Sequence, residues 1–342
     1  MIPLLGTLSS HIRSTLHPEG FHGGTESAGF FEGWYVKLVS ADRMQRWAVI
    51  PGVFLGADTA RGPDNPRTDE AFVQVLDGST GRSWYQRYDR SVFTARDDTF
   101  DLTVAGNRFT SQGIVLDIPD ARLRGEVHFT DPLAPWPVHP WAPGIMGWYA
   151  WVPFMECYHG VVSFDHGLRG TLTLDGETLG FDGGRGYIEK DWGRAFPAGY
   201  VWMQTNHFAT PGTCLTASVA LIPWLRGEFR GFIVGLRREG ILHTFATYTG
   251  ASTTSLGIDD EHVRWQLRSR RGATLDLRAE RRAGGLLHAP VRTEMHRRVE
   301  ETLDARVHVR LADRHGRVAF DGTGECAGLE VHGELDRLLA TD

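Results

Sequence analysis

The stretch Arg169–Phe181, RGTLTLDGETLGF, consists of two short alternating runs joined by Asp175-Gly176. Alternation of apolar and polar residues is the period of a half-buried β-strand, and Asp-Gly provides the positive φ angles that a two-residue hairpin turn needs. The pattern recurs along the chain: Gly106-Asn107 joins DLTVA to RFTSQ, and Gly81 and Gly240 each follow another alternating run. The sequence therefore predicts an all-β protein.

Short strands separated by frequent turns are typical of a sandwich or barrel. We expect two antiparallel β-barrel or sandwich units packed together, with little helix. The stretch 132–143, PLAPWPVHPWAP, contains five prolines and cannot form a central strand, because proline lacks the amide donor of a sheet ladder. It is predicted to connect an N-terminal unit, 1–131, to a C-terminal unit, 144–342.

One short helix is expected, over Arg292–Leu303. Within it Met295, Val299 and Leu303 recur every four residues, which is a helical spacing. The segment continues directly into an alternating run, ARVHVRL, that predicts a strand.

The composition is that of a soluble globular protein, with 41% hydrophobic and 23% charged residues among 342. This length is enough for one large or two ordinary domains. A formal charge of −6 argues against nucleic acid as a partner. The arginines between 264 and 282 alternate with apolar residues, as they would on a solvated strand face.

The three cysteines, Cys157, Cys214 and Cys326, are odd in number and far apart. This spacing suits neither zinc nor a redox pair and indicates a reducing compartment. The first residues lack the pattern of a secretory signal, and no apolar run approaches the length of a membrane span. A cytoplasmic protein is expected; peripheral contact with a membrane and the oligomeric state stay open. The Arg-rich, Lys-poor composition suggests a bacterial genome.

The run Gly186–Gly193, GYIEKDWG, is the first candidate for chemistry. On a strand Tyr187, Glu189 and Asp191 share one face and Ile188, Lys190 and Trp192 the other. Two carboxylates so close favour a proton on at least one of them, and a protonated carboxyl group can act as a general acid. The alternative is that Lys190 or an arginine pairs with a carboxylate and merely secures the strand. Lys190 and Lys37 are the only two lysines of the sequence.

The run Gly147–Gly160, GWYAWVPFMECYHG, places Glu156 and His159 among aromatic residues. If it is extended, Glu156 shares a face with Phe154 and Tyr158. A buried unpaired carboxylate is costly, so Glu156 indicates either a functional acid or an ion pair with another strand.

Two further runs present aromatic faces. In Val201–Phe208 the alternation puts Trp202, Gln204 and Asn206 on one face, which suits a pocket for an amphipathic ligand or, alternatively, faces solvent. In Phe30–Lys37, FFEGWYVK, Glu32, Trp34 and Val36 alternate with Phe31, Gly33 and Tyr35. The sequence has no phosphate loop, dinucleotide fingerprint, GxSxG elbow or HExxH motif. We therefore expect no cofactor and no metal.

These runs, FFEGWYVK, PGIMGWYAWVPFMECYHG, GGRGYIEKDWGRAFP and YVWMQTNHF, resemble the tocopherol cyclase family, as does the ending ECAGLEVHGEL. The resemblance extends from about Pro18 to Leu335. It implies a lipocalin-like architecture of two β-barrels, related to carotenoid hydratase-like proteins. It also implies a cofactor-independent reaction in which a prenylated hydroquinone closes a chromanol ring. The side-chain alkene is protonated and the phenol oxygen adds to it.

For that chemistry we expect Asp191 to be the general acid, with Glu189 or Glu156 adjusting its acidity or accepting the phenolic proton. The residues expected to bind an apolar substrate are Trp34, Trp148, Tyr149, Trp151, His159, Tyr187, Trp192, Trp202, Gln204 and Asn206. Two alternatives stay open: a non-catalytic lipocalin-like carrier of an apolar ligand, and an isoprenoid hydratase or isomerase.

Overall fold

The computed structural model describes residues 12–23, 28–56, 69–291 and 293–340. Helix is confined in these residues to short pieces: α1 (12–16), α2 (Leu335–Ala340) and 3-10 turns at Arg90–Val92, Gly144–Trp151 and Thr247–Thr249. Most of the remaining described chain is β-strand, so the all-β prediction is confirmed. No helix among these residues has the length and apolar character to cross a bilayer.

The first sheet has 12 antiparallel strands in the order β4-β3-β2-β1-β14-β12-β9-β8-β7-β6-β5, with β13 paired to β12, and β10 and β11 form a separate two-stranded ribbon. The bounds are β1 Phe30–Val39, β2 Arg46–Leu55, β3 Glu70–Asp77, β4 Arg82–Tyr88, β5 Phe93–Ala95, β6 Asp101–Val104, β7 Asn107–Thr110, β8 Gly113–Ile118, β9 Leu123–Phe129, β10 Val138–His139, β11 Ala142–Pro143, β12 Cys157–Leu174, β13 Glu177–Gly180 and β14 Gly184–Gly193.

The second large sheet has 11 antiparallel strands in the order β19-β18-β17-β15-β25-β24-β22-β21-β20, with β16 paired to β25 and β23 to β24. The bounds are β15 Gly199–Thr205, β16 His207–Phe208, β17 Cys214–Trp224, β18 Gly227–Arg238, β19 Ile241–Ala246, β20 Ser252–Ile258, β21 His262–Arg268, β22 Thr274–Glu280, β23 Gly285–Pro290, β24 Met295–Ala312 and β25 Val318–Gly333. Within the described residues the end strands of each large sheet do not pair with each other. The sheets are therefore open and not closed barrels.

The chain forms two compact units. The first comprises Met1–Leu76, Ser83–Phe196 and Leu287–Arg298; the second comprises Asp77–Arg82, Pro197–Leu286 and Val299–Asp342. This division differs from the one expected from the prolines. The stretch 132–143 belongs to the first unit because the amide of Trp136 donates to Val161 and the carbonyl of Ala134 accepts from Phe164, both on β12.

The alternating runs fold as strands because one face of each is apolar. In β21, HVRWQLR, Val263, Trp265 and Leu267 are buried while Arg264 and Arg268 are exposed. The solvated arginine face predicted for this strand is confirmed.

The hairpin turns follow the predicted chemistry, with one shift. Asp175 and Gly176 have φ of 53° and 93°, and Gly81 and Gly240 have φ of 73° and 76°. The turn between β6 and β7 is Ala105-Gly106, with φ of 48° and 86°, and not Gly106-Asn107. Asn107 is instead the first residue of β7, fully buried, where its side-chain amide donates to the carbonyl of Val104 at 3.0 Å.

The helix expected over 292–303 is wrong, because β24 begins at Met295. A spacing of four residues also places side chains on one face of a strand, since strand side chains alternate with a period of two. Met295, Val299 and Leu303 are all buried, as that face requires.

Candidate active site

Strand β14 lies between β1 and β12 in the first sheet, and both neighbours are antiparallel to it. The register pairs Asp191 with Gly33 on β1 and with His159 on β12. It pairs Lys190 with Trp34 and with Gly160. Because successive side chains alternate, β14 presents a carboxylate-bearing face and a lysine-bearing face, as the sequence predicted.

The carboxylate-bearing face brings together four of the predicted residues. Nδ1 of His159 lies 2.8 Å from Oδ1 of Asp191, and its Nε2 lies 3.5 Å from Oε2 of Glu189. The hydroxyl of Tyr187 donates to that same Glu189 oxygen at 2.5 Å. The imidazole ring thus bridges the two carboxylates.

His159 is a cation at neutral pH in this setting. Burial by itself would lower the pKa of His159, but the charges of Asp191 and then Glu189, together with the hydrogen bond to Asp191, outweigh it and raise the pKa to about 9. An imidazolium between two carboxylates is a cluster that stores and moves a proton near pH 7.

The same three side chains have the spacing of metal ligands. One ligand atom each from His159, Glu189 and Asp191 lies within 4.8 Å of the others. Both ring nitrogens of His159 face a carboxylate, however, and the raised pKa favours a proton on each nitrogen. A histidine must lose a proton to bind a metal, so a metal ion and the imidazolium proton are alternative occupants of this cluster.

The side chains of the cluster differ in their exposure to solvent. The side chain of Asp191 is 28% exposed and that of His159 14%, whereas that of Glu189 is 5% exposed. A ligand that approaches this face therefore meets Asp191 first, with Glu189 and Tyr187 behind it.

Apolar side chains lie on the same face of the sheet as the cluster. Phe31, two residues before Gly33 on β1, packs with Phe54, Phe72 and Met295, all of them buried. Partly buried residues pack against this group: Ile50, Tyr85, Cys157 and Phe196. We call the four buried residues the apolar patch.

The apolar patch was missed in the sequence. Its signal was the alternation of Phe31, Gly33 and Tyr35 with Glu32, Trp34 and Val36, which shows two faces. Only the pairing of β1 with β14 shows which of them adjoins Asp191.

Cys157, beside this cluster on β12, is not a nucleophile. Burial, with the negative charges of Asp191 and Glu156, raises the pKa of the Cys157 thiol well above its ordinary value. A thiol that stays protonated is unreactive.

The lysine-bearing face holds a buried ion-pair cluster. Nζ of Lys190 lies 2.5 Å from Oε1 of Glu32 and 2.7 Å from Nδ1 of His22, and both Lys190 and Glu32 are fully buried. The ammonium group lies over the rings of Trp34 and Trp192 at 4.7 and 4.6 Å. Trp34 and Trp192 were listed among the residues expected to bind the substrate; their side chains lie on the face of the sheet opposite Asp191.

Burial dominates the charge states of this cluster. It lowers the pKa of Lys190 to about 8, although Glu32 opposes the shift. Burial also lowers the pKa of His22, with Lys190 adding to the effect. For Glu32 burial acts in the opposite sense, but Lys190 and His22 outweigh it and lower the pKa of Glu32. The pair is therefore ionised and His22 neutral at pH 7.

Glu32 also binds the segment 20–23 to the lysine-bearing face of the sheet. Its carboxylate accepts the backbone amides of His22 at 3.0 Å and Gly23 at 3.1 Å. Lys190 donates to the carbonyl of Gly20. Lys190, one of the two lysines of the sequence, thus has a structural role on the face away from Asp191.

The predicted aromatic wall around Trp148 is not a strand. Trp148, Tyr149 and Trp151 lie in the 3-10 segment Gly144–Trp151, where Gly147 has a φ of 57°. Trp148 is 45% exposed and stacks on Tyr149 at 4.1 Å.

Glu156 lies in the turn before β12, with its carbonyl accepting the amide of Arg194 at 2.8 Å. The expectation that Phe154, Glu156 and Tyr158 share a strand face is wrong, because the strand begins only at Cys157. Pro153, which has no amide to donate, precedes that start.

Trp202, Gln204 and Asn206 belong to the second unit, on and just after β15. All three are buried. Val201 and Met203 pack into the core of that unit, as expected for the opposite face, but Phe208 joins the same core. The strand is interrupted at Asn206, which shifts the alternation by one residue.

A model of the family "Tocopherol cyclase-like" matches residues 106–333 of the chain. "Tocopherol cyclase, chloroplastic" of Zea mays is 23% identical over 287 residues, which are 70% of this chain and 60% of that protein. "Probable tocopherol cyclase, chloroplastic" of Oryza sativa subsp. japonica is 26% identical over 277 residues, which are 68% and 59%. The chain spans about 60% of the length of the curated relatives it matches.

Solved structures share the fold. Kievitone hydratase from Nectria haematococca superposes with a TM-score of 0.52 at 14% identity, over 94% of this chain and 92% of that one. The protein CghA superposes with a TM-score of 0.57 at 14% identity, over 89% and 88%. At this level of identity the likeness concerns architecture.

Proposed function

This chain belongs to the tocopherol cyclase-like family, and we propose that it is an enzyme that closes a chromanol-type ring on a prenylated hydroquinone or a related isoprenoid. The observation that carries the proposal is the imidazolium of His159 between the carboxylates of Asp191 and Glu189. Ring closure isomerises the substrate, so the enzyme has only to deliver one proton and recover another.

Asp191 is the proton donor in this proposal. It is the most accessible member of the cluster, so in the reacting state, in which a proton from water has converted its carboxylate to a carboxyl group, it reaches the alkene carbon that yields a tertiary cation. The imidazolium of His159, 2.8 Å away, stabilises the carboxylate that the transfer leaves behind. A donor whose conjugate base is stabilised in this way is a stronger acid toward a weakly basic alkene.

The phenolic proton completes the cycle. As the phenol oxygen bonds to the tertiary carbon, its proton goes to Glu189. Asp191, whose side chain is 28% exposed, then regains a proton from water and Glu189 releases one, while His159 keeps the protons on both ring nitrogens. The enzyme is regenerated and no atom is gained or lost.

The apolar patch suits the rest of such a substrate. Phe31, Phe54 and Phe72 provide aromatic faces on the Asp191 side of the sheet. An aromatic face stabilises a nearby cation by about 0.5–2 kcal/mol. The isoprenoid chain gains free energy by burying its surface there.

A hydratase is the second candidate, because the 28% exposure of Asp191 admits water to the developing cation. Mass spectrometry separates the two reactions: cyclisation conserves the mass of the substrate, whereas hydration adds one water. A carrier would bind the ligand and release it unchanged.

The test is turnover of a prenylated hydroquinone by the wild type and by Asp191→Asn. We expect kcat of Asp191→Asn to fall by about 10²–10⁴-fold, the usual contribution of a general acid. Asp117→Asn, at an exposed strand position of the same unit, is the matched control and should keep full activity. Full turnover by a folded Asp191→Asn would remove Asp191 from the mechanism.

A further inference from the structure

Two glycines continue the row of the catalytic cluster across the sheet. The register pairs His159 on β12 with Asp191 on β14, Asp191 with Gly33 on β1, and Gly33 with Gly52 on β2. Residues paired in this way present side chains side by side on one face of a sheet. The two positions that follow Asp191 on the β1 side of this row, Gly33 and Gly52, therefore carry no side chain.

Packing explains why glycine is present at position 52 but not at position 33. A Cβ at Gly52 would lie 2.4 Å from Cζ of Phe72 and 2.6 Å from the carbonyl oxygen of Glu32, so packing requires glycine there. A Cβ at Gly33 would meet nothing closer than Ile50 and Pro51 at 3.7 Å and Phe72 at 3.8 Å, which are ordinary contacts.

The backbone does not require glycine at position 33 either. Gly33 is absent from the glycines of positive φ, and glycine within a strand is less stable than alanine. Neither packing nor conformation accounts for this glycine.

The face is open at this position. Gly33, Asp191 and His159 are each partly accessible, whereas the neighbouring side chains of Phe31 and Tyr35 are buried. The missing side chain thus leaves a recess beside the Asp191 carboxylate, with Ile50, the carbonyl oxygen of Pro51 and Phe72 nearest to it. The acid on one side and the side chains of Ile50 and Phe72 on the other suit an alkene that must be protonated.

We infer that Gly33 determines substrate specificity: its recess receives the branched, methyl-bearing end of the isoprenoid alkene against Asp191. The inference rests on the proposed function for the identity of the ligand. Position 33 acts by size and takes no part in proton transfer. A larger side chain there should block branched ligands while leaving His159, Asp191 and the fold unchanged.

The experiment compares Gly33→Ala and Gly33→Val with the wild type. Binding of a hydroquinone with a dimethylallyl substituent is compared with binding of one with an unbranched allyl substituent, both followed by the NMR signals of the His159 imidazole. We expect Gly33→Ala to weaken binding of the branched ligand about 10–200-fold, the usual effect of one misplaced methyl group in an apolar pocket. Gly33→Val should weaken it further, and the allyl ligand should lose less in both variants.

Two glycine variants serve as controls. Gly180→Ala on β13, where an added Cβ meets no atom within 4 Å, should leave both affinities unchanged. Gly52→Ala should lower the unfolding temperature, whereas Gly33→Ala should match or exceed the wild type, because only Gly52 is held by packing.

Three results would overturn the inference: unchanged affinities in Gly33→Ala and Gly33→Val, equal losses for the two ligands, or an altered His159 titration in the unliganded Gly33→Ala protein. The proposed function is tested separately. A wild type that binds the branched ligand without converting it contradicts the proposed function and leaves the recess in place. A wild type that binds neither ligand overturns both.

Discussion

In the proposed mechanism, His159 is the residue whose charge controls proton delivery in the first unit. Because Asp191 and Glu189 raise the pKa of His159 to about 9, we expect its imidazole to titrate near pH 9 and not near 6.5. Proton delivery that needs the imidazolium should therefore decline as the pH rises through about 9. Heteronuclear NMR of the labelled ring measures the titration directly, and Asp191→Asn should move it downward. A ring that titrates near 6.5 in the wild type would contradict the assignment.

The same shift makes stability depend on pH. The folded pKa of His159, about 9, lies above the ordinary histidine value of 6.5. Its stabilising effect is thus fully present below pH 6.5 and is lost as the pH rises through 9. The size is on the order of 3 kcal/mol, at about 1.4 kcal/mol for each pKa unit.

Denaturant unfolding between pH 6 and 9.5 should show this loss in the wild type and a flatter profile in His159→Gln. The exposed His128 provides the control, since His128→Gln should keep the wild-type slope. A His159→Gln profile parallel to that of the wild type would show that the cluster does not couple to folding.

Local alternation in the sequence was enough to separate the carboxylates of β14 from Lys190, but not to complete the site. It did not show that His159 lies directly opposite Asp191, because that contact depends on the register between two strands. It also left open which face of β1 adjoins the acid, and the structure turns Phe31 and Gly33 to that face. A shift of one residue in register exchanges the two faces of a strand, and nothing within a single run specifies the register.

At the scale of elements, the Lys190–Glu32 pair joins β1, β14 and the segment 20–23. Removing one partner leaves the other charge buried without compensation, which costs about 3–5 kcal/mol. We therefore expect Lys190→Met to lower the free energy of unfolding by that amount. In the double variant Lys190→Met/Glu32→Gln much of the loss should be recovered. Denaturant unfolding of the single and double variants forms a double-mutant cycle that measures the coupling.

An exposed ion pair of the same unit is the control for that cycle. Arg96 and Asp98 lie 3.0 Å apart at the surface, and water screens such pairs, so Arg96→Met should change stability little. If Lys190→Met were as mild as Arg96→Met, the buried pair would not be what holds the segment 20–23.

Secondary-structure elements were predicted best where the sequence pattern that indicates them lies within a few neighbouring residues. The hairpin at Asp175-Gly176 could be identified because the turn chemistry and both alternating runs lie within a dozen residues. The turn at Ala105-Gly106 was placed one residue late because Asn107 is equally suited to a turn by type. Its buried hydrogen bond to Val104, which decides the matter, is a property of the folded chain. For β24, a spacing of four residues fits a helix and a strand alike.

At the scale of the whole molecule, the two units interleave along the chain, which no local pattern indicated. The first unit includes Leu287–Arg298, about 90 residues beyond Phe196, where the rest of it ends. This segment contributes Met295 to the apolar patch. It also contributes His288, whose amide donates to Oε1 of Gln74 at 2.6 Å and whose carbonyl accepts from Nε2 at 3.2 Å.

A fragment that ends at Phe196 should therefore fold incompletely, even though it contains His159, Glu189 and Asp191. Without Met295 the apolar patch loses its cover, so we expect the fragment 1–196 to bind a hydrophobic dye and to unfold with low cooperativity. In the full chain Met295→Ala removes the same contact and keeps the rest of the segment. It should lower the free energy of unfolding by about 2–5 kcal/mol. Met44→Ala, at a largely exposed methionine of the same unit, should cost little. Cooperative unfolding of the fragment without dye binding would mean that residues 1–196 alone specify the first unit, and that the site needs nothing from the later chain.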